Sequence, residues 1–154
     1  IHVLSGFAGG EAAEACFVEN LRYAADAAAP RGRTILIEPL NHHDAPGYFL
    51  NHTEIARRII EAVGAPNLKL MFDCYHIQIL EGDLTRRIDA NLDITGHIQF
   101  AGVPSRGRPD MGEVNYAHIF AHLAARGYDA PLGAEYRPEA GDTDASLGWM
   151  AALR

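Results

Sequence analysis

The stretch Lys69-Leu-Met-Phe-Asp-Cys-Tyr-His76 carries an acid at the end of an apolar run and an imidazole three residues later. Leu70 and Phe72 have the apolar character of a strand that is covered on both faces, and Asp73 stands where that character stops. Parallel α/β folds place their chemistry at the carboxyl ends of strands and in the loops that follow. The stretch therefore predicts such a fold, with functional side chains at Asp73 and His76.

Strand and helix patterns alternate along the rest of the chain. Short apolar or β-branched runs predict strands at residues 1–6, 34–38, 68–73, 96–100 and 131–136. Apolar side chains spaced by three and four residues predict helices at residues 12–29, 53–63, 79–92, 116–127 and 147–153. The alternation repeats at about the 30-residue length of a βαβ unit. We therefore predict one domain, residues 1–154, built on a parallel sheet.

One polar side chain ends each of four successive predicted strands. These side chains are Glu38, Asp73, Gln99 and Glu135. In a (β/α)₈ TIM barrel the carboxyl ends of the strands converge on one face, and such a barrel needs about 250 residues. The chain has 154 residues, enough for about five of the eight units. We therefore predict an incomplete barrel that corresponds to the C-terminal five-eighths of a longer one, present as a truncated product or as an excerpt.

Three carboxylates and one amide oxygen around a common point predict a metal site. Each acid taken alone is better explained as a helix cap or as the partner of an arginine. Together they cannot all stay ionised in a partly buried site unless a cation compensates their charge. Ligation by oxygen atoms alone favours Mg²⁺ or Mn²⁺ over Zn²⁺.

Composition excludes several classes of protein. The formal net charge is −7, from 13 Lys and Arg against 20 Asp and Glu, and the basic residues form no cluster, which argues against a nucleic-acid surface. No apolar run approaches the roughly 20 residues of a membrane span. Cys16 and Cys74 lack a disulfide-framework spacing, so we expect a reduced, cytoplasmic protein in which Cys74 is a small buried side chain rather than a nucleophile.

Five short stretches surround the predicted strand ends and the loop before the helix at residue 116. They are Ile37-Glu38-Pro39-Leu40-Asn41, Phe72-Asp73-Cys74-Tyr75-His76, His97-Ile98-Gln99-Phe100-Ala101, Gly112-Glu113-Val114-Asn115-Tyr116 and Gly133-Ala134-Glu135-Tyr136. In order and spacing they resemble the hydroxypyruvate isomerase family, which belongs to the xylose-isomerase-like TIM barrels. The resemblance covers nearly the whole chain and supports the barrel prediction.

The resemblance implies metal-ligand roles for Glu38, Asp73, Gln99 and Glu135. It further implies that Glu38 and Glu135 are catalytic and carry a proton between adjacent carbons of an α-hydroxycarbonyl substrate. Related ketose 3-epimerases usually have His at the position of Gln99, so this residue favours the hydroxypyruvate branch. The implied reaction interconverts hydroxypyruvate and tartronate semialdehyde, a step of carbohydrate and glyoxylate metabolism.

The resemblance also implies that His76 and Arg106 hold the oxygen atoms of the substrate. Arg108 is the alternative to Arg106 in the same loop. The implied chemistry is physically consistent: carboxylates on both sides of an enediolate act as base and acid in turn, a metal stabilises its negative oxygens, and the planar fork of an arginine suits a substrate carboxylate. We expect His97 to point outward or to pack against a helix.

Three other functions are compatible with the same residues. The first is a sister isomerase or epimerase, acting on 2-oxo-tetronate or a ketose. The second is a metal-dependent AP endonuclease relative, which the acidic charge disfavours. The third is an inactive barrel fragment, because strands at residues 1–6 and 131–136 would leave open sheet edges.

Those edges predict association into a homo-oligomer or aggregate. We also expect four apolar side chains to face the barrel interior and to lack partners there. They are Ile35, Ile37, Leu70 and Ile98.

Overall fold

The computed structural model describes residues 1–151 and 153 and contains a four-stranded sheet with helices between the strands. The strands are β1 (Ile35–Ile37), β2 (Leu68–Asp73), β3 (Thr95–Phe100) and β4 (Leu132–Ala134). The α-helices are α1 (Glu11–Ala28), α2 (Thr53–Val63), α3 (Cys74–Leu80), α4 (Leu84–Asn91), α5 (Tyr116–Ala125) and α6 (Thr143–Ser146). Short 3₁₀ turns lie at Ala29–Arg31, Leu92–Ile94, Glu139–Gly141 and Leu147–Ala151.

The sheet is parallel throughout, in the order β1-β2-β3-β4. Ile37 pairs with Leu70, Phe72 with Ile98, and Ile98 with Leu132. Each strand therefore lies beside its neighbour in sequence, with a helical crossover between them, as in the wall of a TIM barrel. The predicted α/β class and the partial barrel are confirmed.

The N-terminal segment differs from the prediction of a strand at residues 1–6. It forms one isolated parallel bridge, between His2 and Leu36, with hydrogen bonds from Val3 N–H to Leu36 O (2.9 Å) and from Leu36 N–H to Ile1 O (2.8 Å). Within the described residues the sheet thus has four strands and one bridge instead of five strands. After this contact the segment leaves β1: Ser5 N–H donates to the hydroxyl group of Tyr48 (2.9 Å), and Gly6 then turns the chain with a φ of 76°.

Two predicted helices are built differently in the structure. The helix predicted at residues 79–92 is replaced by α3 and α4, because Gly82 and Asp83 have left-handed backbone angles, with φ of 64° and 50°. The closing helix predicted at residues 147–153 is replaced by α6 and a 3₁₀ turn, Leu147–Ala151, and its residue 152 lies outside the described residues. No helix in the described part of the chain is both long and apolar enough to cross a membrane.

The expectation that four apolar strand residues face the barrel interior is wrong. Ile35, Ile37, Leu70 and Ile98 lie on the helix side of the sheet, in one core with Leu21 of α1 and Ile59 of α2. All are at most 2% exposed. Strand side chains alternate between the two faces, so the interior side receives the residues between them, including Leu36, Lys69 and Met71. An apolar run does not show which side chains face the helices and which face the barrel interior, because both faces of a barrel strand are covered.

A β-bulge interrupts β3 at Gly96. Leu70 pairs with Thr95, but the next residue, Met71, pairs with His97, so Gly96 is an extra residue on its strand. A Cβ atom at Gly96 would lie 2.6 Å from Cβ of Lys69 on the neighbouring strand, which explains why a glycine occupies this close approach.

The bulge changes which side chains of β3 face the barrel interior. It places Gln99 level with Asp73 at the carboxyl end of the sheet. His97 lies two residues before Gln99 and therefore faces the same side; a Cβ atom at Gly133 would lie 2.9 Å from its Nε2 atom. The prediction that His97 points outward or packs against a helix is thus wrong, because its ring lies beside Gly133 of β4 on the interior side.

Candidate active site

A cavity of about 530 Å³ opens at the carboxyl ends of the strands. Five of the six predicted site residues line it, namely Glu38, His76, Gln99, Arg106 and Glu135. Asp73 lies directly beside them, with Oδ2 3.8 Å from Nε2 of His76 and 3.7 Å from a guanidinium nitrogen of Arg106. The structure therefore brings all six predicted residues to one place.

Glu38 and Asp73 are buried carboxyl groups that end β1 and β2. Burial raises the pKa of Glu38 to about 9, and the negative charges of Asp73 and Glu135 add to the rise. Burial also raises the pKa of Asp73 to about 7, although its Oδ1 accepts a hydrogen bond from Tyr75 N–H (2.8 Å) at the start of α3. Two such groups favour either protonation or a compensating cation at neutral pH.

The donor atoms of Glu38, Asp73 and His76 all lie within 4.8 Å of one another, so this cluster could hold a metal ion. Four buried atoms around it have no hydrogen-bond partner among the described residues. They are Glu38 Oε1, Asp73 Oδ2, His76 Nε2 and Gln99 Oε1. Buried polar atoms are nearly always paired, and three of these four are oxygen acceptors, so the donor set fits a hard divalent cation.

Glu135 occupies the rim of the cavity. Its backbone N–H extends the β3–β4 pairing by donating to Phe100 O (3.1 Å), and its Oε2 lies 2.9 Å from a guanidinium nitrogen of Arg106. The side chain is 52% exposed, whereas that of Glu38 is 4% exposed. In this structure Glu135 is therefore paired with Arg106 and does not belong to the close cluster of Glu38, Asp73 and His76.

Arg106 is the arginine that enters the cavity. Its backbone has a φ of 55°, and its carbonyl accepts a hydrogen bond from Arg137 N–H (2.7 Å), which ties the loop to the end of β4. The guanidinium carbon lies 5.1 Å from the centre of the Tyr75 ring. Arg108, the alternative considered from the sequence, forms an ion pair with Asp110 instead.

His76 lies in the first turn of α3 and is 1% exposed. Its Nδ1 contacts the backbone nitrogen of Asn41 at 3.0 Å and the side-chain nitrogen of Asn41 at 2.8 Å. Burial lowers the pKa of His76 to about 4, and the positive charge of Arg106 acts in the same direction. The imidazole is therefore neutral over the physiological range.

Sequence reasoning missed His2 and Asp44, which also line the cavity. His2 Nε2 lies 3.5 Å from Oε2 of Glu38, and Asp44 Oδ2 lies 3.5 Å from Arg106. His2 precedes any recognisable motif, and Asp44 stands in a polar loop that has no periodic pattern. The one available signal was the position of Asp44, six residues after Glu38 in the loop that follows β1.

One family profile, the xylose isomerase-like TIM barrel, matches residues 1–153. The chain belongs to this family. Among its xylose isomerase-like relatives, the 2-oxo-tetronate isomerase of Cupriavidus necator is 49% identical over 154 residues, which cover 97% of this chain and 59% of that protein. The hydroxypyruvate isomerase of Escherichia coli K12 is 42% identical over 150 residues, covering 97% of this chain and 57% of that protein.

Two solved structures have the same fold. A Brucella melitensis protein named AP endonuclease, family 2, has a TM-score of 0.93 and 44% identity, over 99% of this chain and 60% of that chain. The 3-keto-D-glucoside 4-epimerase of E. coli has a TM-score of 0.81 and 28% identity, over 92% of this chain and 53% of that chain. The chain thus spans about 57–59% of the length of the two curated relatives.

Proposed function

We propose that the protein carrying this chain is a metal-dependent isomerase that moves the carbonyl group of a short 2-oxo-3-hydroxy acid to the neighbouring carbon. The observation that supports this most is the buried cluster of Glu38, Asp73, His76 and Gln99. Each of these residues has one polar side-chain atom that finds no hydrogen-bond partner in the described part of the chain. Relatives named hydroxypyruvate isomerase and 2-oxo-tetronate isomerase support the reaction class.

Four side chains are the proposed ligands of a divalent cation, Mg²⁺ or Mn²⁺. They are Glu38, Asp73, Gln99 and Glu135, from the ends of the four strands. Their oxygen atoms suit a hard cation, and burial raises the pKa of Glu38 and Asp73, so ionising both groups is unfavourable unless a cation compensates the charge. When bound, such a cation supplies Lewis-acid stabilisation of negative charge on substrate oxygens.

Glu38 and Glu135 are proposed to transfer the proton. One carboxylate removes a proton from C3 of the substrate, which leaves an enediolate, and the proton returned to C2 completes the new hydroxyl-bearing carbon. The hydroxyl proton on O3 moves to O2 in the same process, so substrate and product are isomers. The two glutamates follow β1 and β4, so they approach the cavity from opposite ends of the described sheet.

His76 and Arg106 are proposed to bind substrate oxygens. Both residues line the cavity. The guanidinium group of Arg106 has a planar fork that matches a carboxylate in two-point contact. Arg106 already lies beside Asp44, Asp73 and Glu135. Its charge therefore compensates part of the acid cluster and can attract the carboxylate of an oxo acid.

The substrate candidates are hydroxypyruvate and 2-oxo-tetronate, which contain the same 2-oxo-3-hydroxy acid group. Hydroxypyruvate follows from the motifs around the strand ends. The second candidate is favoured by the higher identity to the 2-oxo-tetronate isomerase, 49% against 42%. The acid with the higher kcat/KM identifies the preferred substrate.

The test is product formation from both acids, followed by NMR, in the protein that carries this chain. We expect EDTA to abolish turnover and Mg²⁺ or Mn²⁺ to restore it. Dihydroxyacetone, which has the same hydroxycarbonyl group without the carboxylate, is the matched control and is expected to react far more slowly. Full activity after complete metal removal contradicts the metal role.

A further inference from the structure

His76 is held by a residue that is itself completely buried. Asn41 is 0% exposed and lies in the loop after β1, 35 residues before His76. Two of its nitrogen atoms approach Nδ1 of His76, the backbone nitrogen at 3.0 Å and the side-chain amide nitrogen at 2.8 Å. The contact therefore joins the loop after β1 to the first turn of α3.

The orientation of the Asn41 amide follows from its other contacts. Its Oδ1 accepts hydrogen bonds from the backbone N–H groups of His43 (2.9 Å) and Asp44 (3.0 Å). Backbone N–H groups can only donate, so the oxygen must be on their side and the NH₂ group must face His76. The NH₂ group also lies 3.3 Å from Oδ2 of Asp44, an acceptor, which agrees with this orientation.

The same argument determines which nitrogen of His76 carries the proton. Nδ1 meets two N–H donors, so it must present its lone pair to them. A neutral imidazole has one N–H group, which is then at Nε2. Nε2 is buried at the cavity, has no hydrogen-bond partner among the described residues and lies 3.8 Å from Oδ2 of Asp73.

We propose that Asn41 is a positioning residue that holds His76 as the Nε2–H tautomer, so that His76 donates a hydrogen bond to a substrate oxygen instead of ligating the cation. A metal ligand at Nε2 would need the lone pair there and the proton at Nδ1, where two N–H groups already point. By distance alone, Glu38, Asp73 and His76 could hold a metal ion together. The contact between Asn41 and Nδ1 of His76 removes His76 from this set of ligands. The substrate part of the inference rests on the proposed function.

The direct test is the tautomer of His76 in the metal-free protein without substrate. Long-range proton–nitrogen NMR of the ¹⁵N-histidine-labelled protein at neutral pH distinguishes protonated from unprotonated ring nitrogens. The signals of His76 are assigned by their loss in the His76→Gln variant. We expect an unprotonated Nδ1 and a protonated Nε2. A protonated Nδ1 with an unprotonated Nε2 overturns the inference.

The Asn41→Asp variant tests whether Asn41 causes this tautomer. It keeps an oxygen acceptor for the N–H groups of residues 43 and 44 but places a second oxygen against Nδ1. The backbone N–H of residue 41 still faces Nδ1 in this variant, so we expect only part of the His76 population to carry the proton on Nδ1. We expect turnover to fall by about 10- to 100-fold, as when the hydrogen-bond partner of a metal-site histidine is changed. Asn51→Asp is the matched control, because Asn51 lies in the same loop and contacts Tyr48 O instead of His76. An Nδ1–H population no larger than in the wild type contradicts the role of the Asn41 side chain.

A titration with Mg²⁺ alone separates the two roles of His76. A hydrogen-bond donor keeps its Nε2 proton at saturating Mg²⁺, whereas a ligand loses it, and that loss overturns the inference. Because the tautomer is measured without substrate, its outcome is independent of turnover. A protein with Nε2–H and no isomerase activity supports the role of Asn41 and contradicts the proposed reaction.

Discussion

Two carboxylates with different surroundings carry the proposed proton transfer. Glu38 is buried beside Asp73, whereas Glu135 is half-exposed and lies 2.9 Å from Arg106. The Glu135 side chain is 52% exposed and therefore has room to turn from Arg106 toward a cation or a substrate. Glu38 has no such freedom, because its surroundings are closed.

Replacing Glu135 with Gln removes a base but keeps an oxygen atom for a cation. We expect kcat to fall by about 10²-fold or more, as when a general base is lost, and cation affinity to fall less. Steady-state kinetics and isothermal titration with Mn²⁺ measure the two effects. Glu139→Gln is the control, because Glu139 is an exposed acid outside the cavity. Unchanged exchange of solvent deuterium into substrate in both Glu38→Gln and Glu135→Gln would show that the shuttle is wrong.

The raised pKa of Glu38 predicts how the stability of the metal-free protein depends on pH. The pKa rises from 4.5 to about 9 on folding, so over this range the folded state binds a proton that the unfolded state has released. Stability therefore falls as pH rises, by at most about 1.4 kcal/mol per pH unit. Asp73 adds to the fall only below its pKa of about 7. His76, whose pKa falls to about 4 from 6.5, acts in the opposite direction only between those values.

Denaturant unfolding of the EDTA-treated protein between pH about 7 and about 9 measures this dependence. We expect the free energy of unfolding to fall across that window in the wild type and to stay nearly level in Glu38→Gln. Saturating Mg²⁺ is expected to flatten the profile, because a cation stabilises the ionised carboxylate. A wild-type free energy that rises with pH contradicts the assignment.

Among the secondary-structure elements, β3 has the largest effect on the site. Its bulge at Gly96 shifts the strand by one residue, and the shift places Gln99 level with Asp73. With Leu70 and Thr95 paired and no bulge, Ile98 would occupy that level, and Gln99 would point to the helix side. A single extra residue therefore decides whether the cavity contains an amide oxygen.

The Gly96→Ala variant tests the importance of this bulge. The new methyl group would lie 2.6 Å from Cβ of Lys69 and 3.0 Å from Cδ2 of Leu36, and a Cβ atom cannot move away without the backbone. We expect a loss of roughly 1–3 kcal/mol in the free energy of unfolding, together with weaker cation binding. Gly9→Ala is the control, because a Cβ atom at Gly9 meets no neighbour within 4 Å. Equal stability and cation affinity of the two variants would contradict the role of the bulge.

In the molecule as a whole, β1 and β4 are the outer strands of the described sheet. The outer edge of β1 is covered by a single backbone bridge, at His2. The neighbouring residues Ile1, Leu4 and Phe7 are apolar and each more than 60% exposed. Open strand edges beside apolar side chains favour association between copies.

We therefore expect the polypeptide of residues 1–154 to self-associate when it is produced alone. Light scattering after size exclusion measures its mass, and thermal unfolding measures its cooperativity. The triple variant with Ile1, Leu4 and Phe7 changed to Ser is expected to associate less. A monomer that unfolds cooperatively and turns over substrate would show that the open edges have no such effect. A homo-oligomer and a cytoplasmic location for the protein stay predictions.

The sequence alone determined the alternation of strands and helices and the acids at the strand ends. Both are local signals. Apolar residues recur every two positions in a strand and every three or four positions in a helix, and a polar residue marks the point where a strand stops. Because parallel strands share a direction, side chains at their carboxyl ends lie close together. This rule predicts the proximity of Glu38 and Asp73 without any information about packing, and the two residues do lie together.

The tertiary structure alone decided two features of the site. The bulge at Gly96 depends on the side chains of two other strands. The tautomer of His76 depends on Asn41, 35 residues away in sequence. Each results from packing between distant segments, which no periodicity or spacing within one segment can encode.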